Sequence, residues 1–193
     1  MAAAFTTAPT FDAVTSSSPQ NQYPPRSPQG LAARWVQWAA TPSFFRSPIA
    51  DTSGARGGLH QPDDVWFLAG SYGGDPVVRH LVVPPRRELF FPVFTMWFVD
   101  QRPEVVEQAF GTLSVDGVDT AVDVVATHDP FVVRGGFLNG VNRSRRPVWM
   151  SVWGLWGSLS PLGAGQHEVA MRGGDGHGFV VDVTYRLDVR GTA

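Results

Sequence analysis

The chain has 193 residues, of which 43% are apolar and 12% aromatic, enough for one domain with a sizeable core. Charged residues make up only 17% and the formal net charge is −2, so the overall charge gives no case for binding nucleic acid or an acidic membrane. All basic residues are arginine and cysteine is absent, which excludes lysine Schiff bases, thiol nucleophiles, thiolate metal sites and disulfides.

Residues 1–30 are rich in Ser, Thr, Pro, Gln and Ala, a composition typical of a disordered leader. They lack the basic start and apolar run of a signal peptide. No stretch of the chain reaches the roughly 18 apolar residues of a membrane span. We therefore expect a soluble, cytoplasmic protein with a leader at 1–30 and one folded domain at 31–193.

The folded part is predicted to begin with a short amphipathic helix. In LAARWVQWAA, Leu31, Trp35 and Trp38 recur at spacings of three and four, and Pro42 ends the pattern. Such a helix would lay its tryptophans over a sheet face or across the mouth of a barrel, either as a structural plug or as a lid over a ligand. Residues 41–64 then form a long irregular connection, a length often associated with function.

Strands follow at 65–70 (VWFLAG), 77–83 (VVRHLVV) and 89–99 (LFFPVFTMWFV), all rich in branched and aromatic residues. Pro92 within the third predicts an edge position, a bulge or a break. Residues 103–111 have apolar side chains at helix-compatible spacing after Pro103, which predicts a second short helix.

The C-terminal half predicts regularly spaced strands with Gly and Pro between them. Asp116-Gly117 is a strong hairpin signal. The last strand, 179–189, alternates apolar and polar residues, as in a half-buried antiparallel strand. The fold class predicted is all-β: an antiparallel β-sandwich or barrel, jelly-roll-like, with one or two short helices.

Several short motifs occur together within residues 31–190. They are a Trp-rich helix, then Pro48, Asp51 and Gly54, Gln61 before VWFLAG, Gly73-Gly74, Arg79, the Val83-Pro84 step, FFPV at 90–93, the DG turn at 116–117, LSPLGAGQHEV at 159–169, and DVTYRLDV at 182–189. As a set they resemble a widespread, largely uncharacterised bacterial family of β-sandwich domains that usually carry signal peptides. The resemblance implies the fold and supplies no reaction.

The sequence departs from that family at two cysteine positions. Family members place cysteines just before the Gln and directly after the Arg, whereas here the second position is His80 and the first falls in Gly57–His60. With the export signal also absent, the departure implies an intracellular relative with a changed role.

The sequence has no motif that identifies a catalytic apparatus. The five histidines form no HxH, HxxxH or HExxH spacing, so we expect no metal site. GxSxG is absent, which argues against a serine hydrolase, and AGSYGGD lacks the GK[ST] of a phosphate loop. Arg79 and His80 lie side by side on one strand and must point to opposite faces, so whichever faces inward needs a partner.

What remains is abundant aromatic surface with sparse polar groups, the usual composition of a small-molecule site. The candidate catalytic residues are Tyr72, Arg79, His80 and Asp100. The candidate substrate-binding residues are Trp66, Met96, Trp97, Asn139, Trp149, Met150 and Trp153. An enzyme that folds an apolar polyene or polyketide into a reactive conformer works mainly by positioning and needs neither a nucleophile nor a metal.

The functional hypothesis is thus a cofactor-independent cyclase or isomerase of specialised metabolism. It would bind a small apolar metabolite, with no nucleic-acid or membrane partner, and a homodimer is left open. The alternative is a non-catalytic β-sandwich binding or interaction module whose tryptophans lie wholly in the core.

Overall fold

Two β-sheets, one α-helix and one short 3-10 helix make up the regular structure of the residues described. A computed structural model describes residues 22–191, which form one α-helix, one short 3-10 helix and ten strands. The elements are α1 (Pro28–Ala40), the 3-10 helix (Phe44–Arg46), β1 (Val65–Phe67), β2 (Val77–Val83), β3 (Glu88–Val99), β4 (Phe110–Val115), β5 (Val118–Asp119), β6 (Asp123–Ala126), β7 (Phe131–Val133), β8 (Val148–Leu159), β9 (Gly165–Gly174) and β10 (Val180–Val189).

The first sheet has the order β1-β3-β8-β6, with β7 also pairing with β8, and the second has the order β2-β10-β9-β4-β5. Two pairings, β1 with β3 and β2 with β10, are parallel, and the others are antiparallel. The predicted all-β sandwich with a short helix is confirmed, with mixed rather than purely antiparallel sheets.

The predicted amphipathic helix is confirmed, and it begins three residues earlier, at Pro28. Ser27 caps it, since its hydroxyl oxygen accepts a hydrogen bond from Gly30 N at 3.1 Å. Pro28 occupies the first turn, where its missing N–H costs nothing. The start of the helix thus lies inside the stretch assigned to the leader, while residues 1–21 of that stretch are outside the described residues.

The helix lies on the outer face of the first sheet, so the domain has three layers. The helix-side core lies between α1 and the first sheet and includes Trp35, Phe67, Phe90, Phe131, Met150, Val152 and Trp156. The sandwich core lies between the two sheets and includes Leu68, Phe91, Val93, Leu113, Val169, Met171, Val183 and Leu187. Because the first sheet is buried on both faces, its central strands are apolar almost throughout.

A β-bulge interrupts β3 at Pro92, one of the outcomes predicted for that proline. Pro92 pairs with Trp156 and Phe94 pairs with Leu155, so Val93 is an extra residue. Beyond the bulge the inward and outward positions exchange. Trp97 therefore packs against the helix-side core, whereas an unbroken alternation would point it towards the sandwich core.

The DG hairpin and a C-terminal strand are confirmed, but the strand begins at Val180 and is antiparallel only to β9, since it pairs in parallel with β2. In β10, the residues from Val181 to Val189 at every second position are buried. Asp116 and Gly117 both have positive φ, 51° and 78°, as a two-residue turn of the I′ type requires. The carboxylate of Asp116 also accepts hydrogen bonds from Glu168 N and from His167 Nδ1, at 2.8 and 2.7 Å, and so joins the turn to β9.

The helix predicted at 103–111 is wrong. The segment has no regular structure before β4, apart from a turn in which Ala109 N donates to Val106 O. Val105 is 68% exposed and Val106 is half-buried, so a helix here would have little apolar surface to bury against the sheets. A helix this short is not stable without such packing. No helix within residues 22–191 combines the length and apolar character needed to cross a membrane.

The ion pair between His167 and Asp116 makes stability depend on pH. Its hydrogen bond to Asp116 raises the pKa of His167 above 6.5, and the same bond lowers the pKa of Asp116 below 3.8. The stabilisation is therefore lost as pH rises through the raised pKa of His167, and also as pH falls through the lowered pKa of Asp116. Between pH 3.8 and pH 6.5 the charged forms of both side chains stabilise the folded protein.

We expect Asp116→Asn to bring the pKa of His167 back towards 6.5, because the carboxylate that favours the imidazolium is gone. An NMR titration of the histidine ring protons measures this, with the exposed His128 as an internal reference. Equal pKa values for His167 in the two proteins would show that the contact does not form in solution.

Candidate functional site

Of the adjacent Arg79 and His80 on β2, the arginine faces inward. Arg79 is only 1% exposed, and His80 lies on the outer, solvent-facing side of the second sheet. A buried guanidinium is costly unless it is fully hydrogen-bonded. The guanidinium of Arg79 must therefore find its hydrogen-bond acceptors within the fold.

The guanidinium of Arg79 is surrounded by oxygen acceptors. Its Nε donates to Asp51 O at 2.7 Å, and its Nη2 to Ile49 O at 3.1 Å. Its Nη1 lies within hydrogen-bond distance of Ala69 O at 2.7 Å, Gly70 O at 3.0 Å and the Tyr185 hydroxyl at 2.7 Å. Arg79 thus joins the loop at 49–51, the chain after β1 and strand β10. Each of its three side-chain nitrogens donates to at least one oxygen of the fold.

Tyr185 completes this network from β10. Its hydroxyl donates to Ala69 O at 2.8 Å and accepts from Ala69 N at 3.0 Å. The guanidinium carbon of Arg79 also lies 5.5 Å from the centre of the Tyr185 ring. Burial raises the pKa of Tyr185, against the opposing effect of Arg79, so the phenol stays protonated at neutral pH and acts as a donor.

Asp51 supplies its backbone oxygen to Arg79 and uses its carboxylate elsewhere. The carboxylate accepts hydrogen bonds from Ser53 N, Ser53 Oγ and Arg56 N at 3.0, 2.7 and 2.8 Å. Burial opposes ionisation, but these bonds together with the nearby charge of Arg79 hold the pKa of Asp51 below its ordinary value. An ionised carboxylate thus stays close to the buried cation.

An apolar crevice opens next to this network, where the three layers meet at the bulge of β3. It encloses about 50 Å³. Its walls are Trp35, Ile49, Gly70, Ser71, Tyr72, Pro92, Val93, Phe94, Thr95, Trp97, Phe179 and Val181. Gly70 belongs both to this wall and to the acceptors of Arg79, so the network fixes one side of the crevice.

Two of the predicted site residues, Tyr72 and Trp97, line the crevice. Tyr72 is 38% exposed at its rim. The Tyr72 hydroxyl lies so close to Gly140 that a Cβ on that glycine would be 2.3 Å from it. Burial raises the pKa of Tyr72, partly offset by hydrogen bonding with Ser47 and Gly140, so its hydroxyl is protonated at neutral pH.

The four predicted catalytic residues do not form one cluster. Arg79 reaches the crevice only through Gly70, and His80 projects from the opposite face of β2, where it pairs with Arg186 of β10. Asp100 lies just beyond the end of β3, exposed and with a φ of 53°. Of the four, Tyr72 alone lines the crevice.

Most of the predicted substrate-binding residues lie away from the crevice. Trp66 belongs to the sandwich core and Met150 to the helix-side core. Asn139 is buried and donates to Ala39 O and Pro42 O at 2.9 and 2.8 Å, which fixes a loop. Trp149 is exposed, and Trp153 packs against Phe94 with ring centres 6.4 Å apart.

Met96 is exposed and lines a separate, shallow depression of about 330 Å³. The segment at 104–108 forms one wall of this depression and carries Glu104 and Glu107, and His177 lies at its side. Because it is open to solvent and partly acidic, it matches an apolar ligand less well than the crevice does.

Phe94 and Phe179 are crevice residues that sequence reasoning missed. They face each other with ring centres 6.2 Å apart, although one belongs to β3 and the other directly precedes β10. The proline in LFFPVFTMWFV is the signal that could have pointed to Phe94, since a bulge brings two consecutive side chains to the same face. No sequence signal places Phe179 there.

No family model matches the chain, and no curated protein sequence matches it. Among solved structures, the solution structure of amebosin is similar over 64% of this chain and 96% of that chain, at 10% identity and a TM-score of 0.27. A similarity this low carries no argument about fold or function.

We expect Arg79→Met to destabilise the protein by about 3–5 kcal/mol, because it removes the donor to the buried carbonyl oxygens of Ile49, Asp51 and Gly70, and each buried acceptor left unpaired costs about 1–3 kcal/mol. Tyr185→Phe keeps the arginine and removes one hydroxyl, so its cost should be smaller, about 1–3 kcal/mol. Urea unfolding followed by circular dichroism measures both. The exposed Arg102→Met is the matched control, and a loss in Arg79→Met no larger than in this control would contradict the structural role of Arg79.

Proposed function

We propose that the protein binds a small molecule by taking an apolar group into the crevice. The observation that supports this is an opening with almost wholly apolar walls, placed where aromatic side chains from three layers converge. Apolar walls with a few oriented polar groups are the usual composition of a ligand site. Here the polar groups are Ser71, Tyr72 and Thr95.

The size of the crevice limits the group that it can take. Its volume of about 50 Å³ is far below the roughly 300–1,000 Å³ of pockets that enclose a drug-sized ligand. In the conformation described, a short alkyl or isoprenyl end group fits and a whole polyene does not. A larger ligand requires the rings of Tyr72 and Phe179, each 38% exposed, to turn outward.

A cyclase or isomerase activity would build on the same site. A reactive chain held by one apolar end against the ring of Tyr72, whose hydroxyl is fixed by Ser47 and Gly140, would be confined to fewer conformers. Restricting conformers is a recognised source of catalysis that needs no nucleophile. In this proposal Tyr72 is the residue that touches the substrate, and Arg79 acts as a positioning residue through Gly70.

A non-catalytic binding module is the second candidate function. It is favoured by the engagement of Arg79 and Asn139 in hydrogen bonds within the fold, which leaves few polar groups for chemistry. The two candidates share the crevice and differ in turnover. Ligand binding without any change in the recovered ligand favours the module.

We expect linear alcohols of increasing chain length to change the tryptophan emission saturably, because Trp97 and Trp35 line the crevice. Trp97→Phe should remove most of this response. Trp149→Phe is the matched control, since Trp149 is exposed and is not a wall residue. Binding should reach its maximum at short chain lengths.

Two results would overturn this assignment. One is the absence of a saturable response to every probe. The other is a response that survives Trp97→Phe and disappears in Met96→Gln, which would place the ligand in the shallow depression instead.

A further inference from the structure

Four large apolar side chains project into solvent from two neighbouring segments, the 3-10 helix and the loop after β7. They are Phe44 (43% exposed), Phe45 (65%), Phe137 (52%) and Leu138 (52%), and we call them the apolar tip. Exposed apolar residues are common singly, but a group from two separate segments marks an interaction surface.

The two segments of the apolar tip are held together by the backbone. Phe44 N donates to Phe137 O at 3.0 Å, and Gly136 N donates to Ala40 O at 2.8 Å. The buried amide of Asn139 bonds to Ala39 O and Pro42 O and so fixes the loop after β7 against the end of the helix. The fold therefore presents the four side chains together.

The surroundings of the apolar tip are strongly basic. Residues 41–50 and 131–149 contain no Asp or Glu, and their arginines are all exposed: Arg46, Arg134, Arg143, Arg145 and Arg146. Among residues 22–191, the ion pairs formed by arginine involve Arg26, Arg34, Arg172 and Arg186, and none of these five. The formal net charge of −2 thus conceals a local excess of positive charge at this end.

We propose that the apolar tip and its arginines dock the protein on an anionic lipid surface. Exposed Phe and Leu side chains can enter the boundary between headgroups and acyl chains, and neighbouring arginines are attracted to anionic headgroups. The absence of acidic residues from the two segments removes the repulsion that such a surface would otherwise meet. The formal net charge alone predicts no binding to an acidic membrane, because it averages this basic end with the rest of the chain.

A single-stranded nucleic acid is the other polyanion that aromatic and basic residues can bind. Such binding usually relies on a groove that follows the backbone and on flat aromatic platforms for the bases. Here Phe44 and Phe45 meet edge to face, with planes at 81°, and Leu138 offers no stacking surface. The geometry favours lipid, and it does so without any assumption about the crevice.

The test is co-sedimentation of the full chain with phosphatidylcholine vesicles, with and without phosphatidylserine. We expect binding to the vesicles that contain phosphatidylserine, weakened by salt. Phe45→Asp with Leu138→Asp, and separately Arg145→Glu with Arg146→Glu, should each lower the partition coefficient by about tenfold or more. These side chains are at the surface, so the unfolding midpoint in urea should not change.

Val118→Asp is the matched control, because Val118 is 67% exposed on a different hairpin and should leave binding unchanged. The proposal fails if wild-type protein does not bind the anionic vesicles, or if the variants bind as well as wild type does. It also fails if the protein binds a single-stranded RNA oligonucleotide in preference to the vesicles. Crevice binding is read from the change in tryptophan emission on adding soluble alcohols, so either proposal can fail alone.

Discussion

The buried guanidinium of Arg79 is the constraint on which this end of the fold depends. Among residues 22–191 no carboxylate forms an ion pair with it, and it is held by backbone oxygens of Ile49, Asp51, Ala69 and Gly70, together with the hydroxyl of Tyr185. These acceptors come from segments far apart in sequence, and their carbonyls would need other donors if the arginine were absent. One cation thus sets the path of two loops relative to β2 and β10, and the position of the crevice wall follows from it.

The bulge in β3 determines which side chains form the other side of the crevice. An extra residue at Val93 reverses the alternation of the strand, which sends Trp97 to the helix side and leaves Phe94 buried beside Phe179 and Trp153. The gap lined by Trp97 and Phe94 lies where the layers fail to close around this irregularity. A packing irregularity in the middle of a sheet and a candidate ligand site are here the same feature.

Sequence patterns predicted the elements whose signal is local. The alternation of β10, the DG turn and the tryptophan spacing of α1 each follow from the backbone geometry of one segment. The segment at 103–111 had a local helical pattern but too little apolar surface to bury, and it did not become a helix.

The candidate site was predicted less well, because it depends on relations between segments. Tyr72 and Trp97 were identified from their residue type, whereas Met150 and Trp66 share that type and lie in the two cores. The bulge decides which side of the sheet each β3 residue faces, and Pro92 predicts a bulge only as one of three outcomes. Whether Arg79 or His80 faces inward depends on which face of β2 packs against the other sheet, and the sequence of β2 alone does not give that face.

The loop after Asp51 has a consequence for how the protein behaves among copies of itself. At the sheet margins, β1, β5, β6 and β7 have two to four residues each, whereas β2 has seven. A long uncovered margin is a template for a strand of another molecule. Here Ser53 O accepts from His80 N at 2.9 Å, and Gly54 lies against the same residue, so the loop shields the middle of β2. The loop that Arg79 holds through its hydrogen bond to Asp51 O therefore also covers the edge at which another copy of the chain could add a strand.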